Sequence, residues 1–204
     1  MVLIGVLGKK RHGKDTLADY LVSSHRFHKE TFAKPLKDAC RILFDLTEEQ
    51  LYGDQKEVMD ETWKMTPREI LQYVGTDMIR NRMALRLPWL GMDFWLYKFE
   101  RNYRKLQQEF GDQVDVIISD VRFPNETKMI HRLGGYVVKT FRPGFESADT
   151  HTSEAGIDLI DDYDMLIIND GTIDQYHERI DKMMAGIRDR SLMTGSTVTA
   201  ATKD

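Results

Sequence analysis

The chain opens on an unbroken apolar run, residues 2–7, with β-branched members, followed at once by glycine and basic residues. Such a run predicts a buried parallel strand entering a loop. Residues 16–24 then take helical spacing. Glu30-Thr31-Phe32-Ala33 predicts a second short strand, and Pro35, Leu36, Ala39, Ile42 and Leu43 predict a helix with proline in its first turn. From 47 to 110 the pattern is helical and polar. Thr66-Pro67-Arg68-Glu69 is a helix start, and Ile70, Leu71, Val74, Met78 and Ile79 recur at helical spacing behind it. Alternation returns after Gly111, with strands over 114–118, 136–141 and 165–168 and helices over 124–133 and 173–187.

Strands alternating with helices predict an α/β fold, a mostly parallel sheet covered on both faces. The strand-free stretch reads as a helical insertion, about 34–110, in a single domain spanning 1–188 whose core is about 1–33 and 111–188. Ligands bind at the carboxyl ends of parallel strands, where such an insertion emerges, so it is the natural carrier of substrate specificity. Residues 189–204 are rich in Thr, Ser and Ala and are expected to form a disordered tail.

Composition narrows the partners. Of 204 residues, 41% are hydrophobic and 30% charged, as in ordinary globular proteins. Twenty-nine Lys and Arg against 33 Asp and Glu give a net charge of −4, which argues against a general nucleic-acid or membrane-surface binder. The single cysteine, Cys40, excludes an intrachain disulfide framework and a Cys-rich zinc site. It fits a reducing compartment, so a cytoplasmic location is expected, and the longest apolar runs are too short to span a bilayer.

The chemistry is concentrated after the first strand. Gly8-Lys9-Lys10-Arg11-His12-Gly13-Lys14 fits the phosphate-binding pattern GxxxxGK, and it lies between an apolar strand and a helix. Glycines let the backbone curl so that successive N–H groups point at phosphate oxygens, and the helix N-terminus adds its positive dipole end. Lys14 is placed to hold β and γ phosphates. Where the general pattern has Ser or Thr stands Asp15, with the hydroxyl one residue later at Thr16. Gly8, Lys10, Arg11, His12, Gly13, Lys14, Asp15 and Thr16 are therefore the candidate ATP-binding residues.

A second signal is Ile117-Ile118-Ser119-Asp120, a strand ending in an acid. Beside a phosphate loop such an acid organises Mg²⁺, which makes Asp120, with Asp15 and Thr16, the candidate metal ligands. Cations near these loops matter because phosphoryl transfer spreads charge over the transferred oxygens. Lys10, Arg11, Lys37, Arg68, Arg122 and Arg142 are candidates, Arg142 lying at a strand end. The six histidines lack metal-ligand spacing. His151, in a polar loop with Glu154, either caps a turn or covers phosphates, and Trp63, Trp89 and Trp95 either stack on a base or belong to the core.

Together these residues resemble the deoxynucleoside monophosphate kinases of bacteriophages. The resemblance rests on Gly8 to Thr16, on Pro35-Leu36-Lys37-Asp38-Ala39, and on Arg68 with Leu71-Gln72 and Gly75-Thr76-Asp77. It continues from Asp120-Val121-Arg122 through Arg142-Pro143-Gly144, Asp149-Thr150-His151, Ser153-Glu154-Ala155-Gly156 and Asn169-Asp170-Gly171, while 40–65 and 80–110 match poorly.

The resemblance implies a P-loop NTPase fold of the nucleoside monophosphate kinase kind, a three-layer α/β/α arrangement with a five-stranded parallel sheet. It implies transfer of the ATP γ-phosphoryl group to a dNMP such as dGMP or dTMP, a Mg²⁺ requirement, a mobile lid, small-molecule partners only and room for a homodimer. By carry-over, Lys14 and its loop hold ATP, Asp120 helps place Mg²⁺, and Arg11, Lys37 and Arg68 grip the acceptor phosphate. Gln72 lies near the base, and Arg122 and Arg142 neutralise the transferring group or act from the lid. Asp77, Trp95, His151 and Glu154 complete the candidate substrate contacts. Animal phosphomevalonate kinases share the Gly-Lys-x-x-x-Gly-Lys-Asp loop, so another small phosphorylated acceptor is the rival reading, with a regulatory ATP-binding module as the third.

Overall fold

The computed structural model describes residues 1–145 and 156–196. Its sheet contains β1 (Leu3–Leu7), β2 (His28–Glu30), β3 (Val116–Val121), β4 (Tyr136–Phe141) and β5 (Met165–Ile168), all parallel, in the order β2-β3-β1-β4-β5. β1 is central: Ile4 pairs with Ile117 of β3 on one side and with Tyr136 of β4 on the other.

Side chains of a strand alternate between faces, and here both faces are covered. Ile4 and Val6 of β1, Ile117 and Val138 pack against Leu17 and Leu21 of α1 (Lys14–His25) and against Tyr176, Ile180 and Ile187 of the long C-terminal helix. Leu3, Leu7, Ile118 and Val137 face the opposite way, toward Trp95, Phe99, Met129 and Ile130. At Gly5 a Cβ would lie 2.3 Å from the Ile130 side chain, so the absent side chain lets the helix over β1 approach closely.

Between β2 and β3 the chain is built of helices joined by turns, with one isolated antiparallel bridge, Asp60 to Met65. α2 (Lys34–Phe44) begins with proline in its first turn, and α3 (Glu48–Tyr52) is capped by Thr47 and Gln50. α4 (Pro67–Gln72) starts from a complete Thr66/Glu69 capping box and runs on as a wider π-helical stretch, Tyr73–Arg82, into α5 (Met83–Arg86). α6 (Phe94–Phe110) returns to the sheet. α7 (Pro124–Arg132) and α8 (Ile173–Ser196) follow β3 and β5.

Three details differ from the sequence reading. The second strand covers His28–Glu30 rather than 30–33, because the N–H groups of Phe32 and Ala33 are bound by the Asp120 carboxylate instead of a neighbouring strand. β3 runs past residue 118 to Val121, whose partner is Leu7, so Asp120 belongs to the strand's last pair of residues. α8 extends to Ser196, so 189–196 are helical rather than part of a tail, and 197–204 lie outside the described residues. Among the described residues no helix is long and apolar enough to cross a membrane.

Candidate active site

The phosphate loop is held from beneath by the ends of β4 and β5. At Gly8 a Cβ would lie 2.8 Å from the Thr140 carbonyl oxygen, and at Gly13, with φ 99°, 2.6 Å from Asn169 Nδ2. Neither position has space for a side chain, and Gly13 also needs the left-handed backbone. Asn169 donates to the His12 carbonyl at 3.4 Å and Tyr176 donates to the Gly13 carbonyl at 3.2 Å. Lys14, buried at the first position of α1, donates through Nζ to the Lys9 carbonyl at 2.8 Å, spanning the loop it serves. Arg11 stands at its crest with φ 68°.

Loop and sheet edge frame a cleft of about 650 Å³. Lys10, Arg11, Gly13, Lys14, Asp15 and Thr16 form one wall, and Lys37, Lys56, Arg68, Asp120, Arg122 and Arg142 face them. His12 does not join them. Its imidazole is buried beside Phe141 and lies 2.9 Å from the Phe145 carbonyl oxygen, so its side chain braces the chain after β4 and only its backbone belongs to the phosphate loop. The Arg142 guanidinium stacks 4.2 Å from the Phe145 ring centroid.

Both oxygens of Asp120 are engaged, Oδ1 by the Phe32 N–H and Oδ2 by the Ala33 N–H, each at 2.9 Å. Burial pushes this carboxyl's pKa up, opposed by those two donors and by nearby Arg122 and Lys37. The acid thus ties the entry of α2 to β3 while lining the cleft. Lys37, its ammonium 3.6 Å from the Tyr52 ring centroid, is driven down by burial. Lys56 goes further, to about 8, through burial and the neighbouring charges of Lys37, Arg68 and Arg122. Glu57 Oε1 accepts from Lys10 Nζ at 3.0 Å and from Arg68 Nε at 2.6 Å, so one carboxylate links the phosphate loop to α4.

A second pocket opens from this cleft under the insertion. Ala33, Lys37, Lys56, Arg68, Asp120 and Arg122 line both. Phe32, Leu36, Leu71 and Trp95 make its walls apolar, with Gln72, Thr76, Arg80 and Glu126 as polar groups. Trp95 donates its indole N–H to the Gly75 carbonyl at 2.9 Å, which sets the ring's position. At Gly75 a Cβ would meet Leu36 at 2.4 Å, so α2 approaches there as well.

Arg80 and Glu126, both buried, lie 3.4 Å apart at the floor. Glu126 also accepts the N–H groups of Arg122 and Phe123, and burial pushes its carboxyl up to about 7 against the pull of Arg80.

Most of the sequence candidates therefore converge on two adjoining cavities. Asp77 does not: it is exposed on the outer side of the π-helical stretch and lines neither cavity. His151 and Glu154 lie outside the described residues. Lys56, Arg80 and Glu126 were absent from the candidates. Lys56 and Arg80 carry no local signal, whereas Glu126, two residues after Pro124, had one in the form of a helix start with an acid in its first turn.

Asp15, Thr16 and Asp120 supply hard oxygen donors on the phosphate-loop cleft. They suit a small divalent cation that keeps water and phosphate oxygens in its shell, as Mg²⁺ does. Among the described residues no cluster of three or more His, Cys, Asp or Glu forms an all-protein cage.

A family model described as deoxynucleotide monophosphate kinase matches residues 44–180. A putative deoxynucleotide monophosphate kinase of Acanthamoeba polyphaga mimivirus is 44% identical, covering 88% of this chain and 94% of that protein. The deoxynucleotide monophosphate kinase of Escherichia phage RB69 is 27% identical, covering 90% and 100% respectively. Among solved structures, dephospho-CoA kinase from Campylobacter jejuni aligns with a TM-score of 0.51 at 17% identity, covering 93% of this chain and 98% of that one, a likeness of fold.

Proposed function

The chain belongs to the deoxynucleotide monophosphate kinase family, and from that premise we propose that it transfers the γ-phosphoryl group of ATP to a deoxynucleoside monophosphate, releasing ADP and the dNDP. The observation that carries this reading is the shared cationic wall between the two cavities. Donor phosphates on the loop and an acceptor phosphate entering from the apolar pocket meet at that wall.

Each residue then has a physical task. The N–H groups of the loop and the start of α1 bind the donor phosphates, and Lys14 neutralises the charge that grows on the transferred group. Lys37 and Arg68 hold the acceptor phosphate, while Phe32, Leu71 and Trp95 enclose the base and Gln72 and Thr76 meet its polar edge. Arg122 and Arg142 balance charge where the two substrates join. Asp15, Thr16 and Asp120, directly or through water, would hold Mg²⁺, which would supply positive charge beside the donor phosphates. No protein nucleophile is needed: the acceptor's phosphate oxygen attacks the γ phosphorus, and ADP leaves.

An apolar pocket walled by Phe32 and Trp95 and edged by amide and hydroxyl groups supports a planar base over a small aliphatic phosphate. The test is ADP release from ATP with Mg²⁺ in the presence of dAMP, dCMP, dGMP, dTMP, GMP or no acceptor. Turnover that depends on a dNMP is expected. ADP release indifferent to every acceptor would favour a regulatory ATPase and overturn the proposal.

A further inference from the structure

Lys56 stands in the one-turn segment Asp54–Glu57 at the centre of the insertion, a stretch without any recognisable motif. It lines both cavities at their junction. The side chain is half-buried and makes no hydrogen bond or ion pair among the described residues. Lys37 from α2, Arg68 from α4 and Arg122 from the end of β3 all act on it as like charges. The adjacent acid offers little relief, since the hydrogen bonds of Glu57 go to Lys10 and Arg68.

An ammonium group carries three N–H donors, and leaving them desolvated among cations is unfavourable unless an anion arrives. We infer that Lys56 is an acceptor-phosphate ligand carried by the insertion, its ammonium joining Lys37 and Arg68 around the monophosphate at the junction of the two cavities. The inference rests on the kinase reading above and adds to it a residue that the phosphate-loop and strand-end motifs do not contain. It also gives the insertion a direct part in the chemistry.

The experiment compares the full chain with Lys56→Gln and Lys56→Arg. Initial rates are measured against the preferred dNMP at saturating ATP, then against ATP at saturating dNMP. In Lys56→Gln the KM for the dNMP should rise about tenfold to a hundredfold, as for loss of one charge-assisted hydrogen bond, more than kcat falls and with ATP affinity retained. Lys56→Arg should recover most of it. An unchanged acceptor KM, an effect on ATP in place of the acceptor, or equal loss in both variants would overturn the assignment.

Protection against thermal unfolding by dGMP and by inorganic phosphate is measured in parallel, because it needs no turnover. Protection of the unaltered chain that is lost in Lys56→Gln supports the ligand role even where no dNMP is phosphorylated, an outcome that would sink the kinase reading alone. Equal protection of both chains would sink the ligand role alone.

Discussion

The guanidinium of Arg80 lies stacked on the ring of Phe123, 3.5 Å from its centroid. The same group reaches Asn125 Oδ1 at 2.5 Å and Glu126 at 3.4 Å, while its Nε is buried without a partner among the described residues. One arginine of the insertion is thereby fastened to the first turn of α7, and the acceptor pocket acquires a rigid polar floor.

Above pH 7, where the Glu126 carboxyl is ionised, Arg80→Met keeps much of the volume but strands a buried charge. Removing one partner of a buried ion pair costs about 3–5 kcal/mol, whereas replacing both costs far less. A large fall in the thermal unfolding midpoint is expected for Arg80→Met, with Arg80→Met/Glu126→Gln recovering most of it. Calorimetry of the three chains checks this, and no recovery in the double variant would count against the pair.

Glu126 makes stability depend on pH in a defined direction. Its carboxyl is raised from 4.5 to about 7, so between those values the native state holds a proton that the unfolded chain has released. This contribution is fully present below 4.5 and is lost as pH rises through 7. Glu126→Gln should flatten that part of the stability profile, read from unfolding midpoints at half-unit pH steps. A slope unchanged by the substitution would assign it to other groups.

Lys14 and Arg68 should divide kinetically. Lys14→Ala removes a cation positioned for the transition state and should lower kcat by roughly a hundredfold or more. Arg68→Ala should act chiefly through the acceptor KM, since its charge meets a phosphate that does not change hands. Steady-state rates with ATP and the preferred dNMP decide between this division and equal effects on both constants.

Lys56 should leave a trace at alkaline pH. With its ammonium lowered to about 8, the positive charge in the empty site disappears as pH rises through that value, and the acceptor binds less well. The KM for the dNMP should climb between pH 7.5 and about 9 in the unaltered chain and stay nearly level in Lys56→Arg, whose guanidinium remains charged. Parallel curves for the two chains would remove Lys56 as the titrating group.

Asp120→Asn tests a carboxylate with two duties. The two N–H donors of Phe32 and Ala33 now meet one oxygen each, and an amide would turn its own N–H₂ toward one of them. A loss of about 1–3 kcal/mol in stability is expected alongside loss of turnover. Denaturant unfolding separates the two duties. Intact stability with lost turnover would mean that the site loses only a negative charge.

What could be read from residue order was whatever local physics encodes. An apolar run, a glycine-bracketed loop and a lysine opening a helix identify the phosphate loop, because strand, turn and helix start are each decided within a few neighbouring residues. Thr66 and Glu69 announce α4 for the same reason. A mostly parallel sheet with a helical excursion after the second strand follows from the spacing of apolar runs, the five-stranded parallel form from the family resemblance, and Lys14, Lys37, Arg68, Asp120 and Arg122 all line the phosphate-loop cleft.

Convergence across long separations was not encoded in that way. Asp120 finds the backbone of Phe32 and Ala33, 88 and 87 residues away, and Arg80 finds Glu126 across 46. His12, a loop residue by sequence, turns its ring to the chain after β4 because burial beside Phe141 outweighs exposure in the cleft. Asp77 entered the candidates through resemblance alone, and it stands exposed on the π-helical stretch, lining neither cavity. Lys56 looks like any surface lysine of a polar segment. Only the packing of α2, α4 and the end of β3 around one point makes it part of a phosphate site, since charges interact through space and the chain's order does not record which of them will meet.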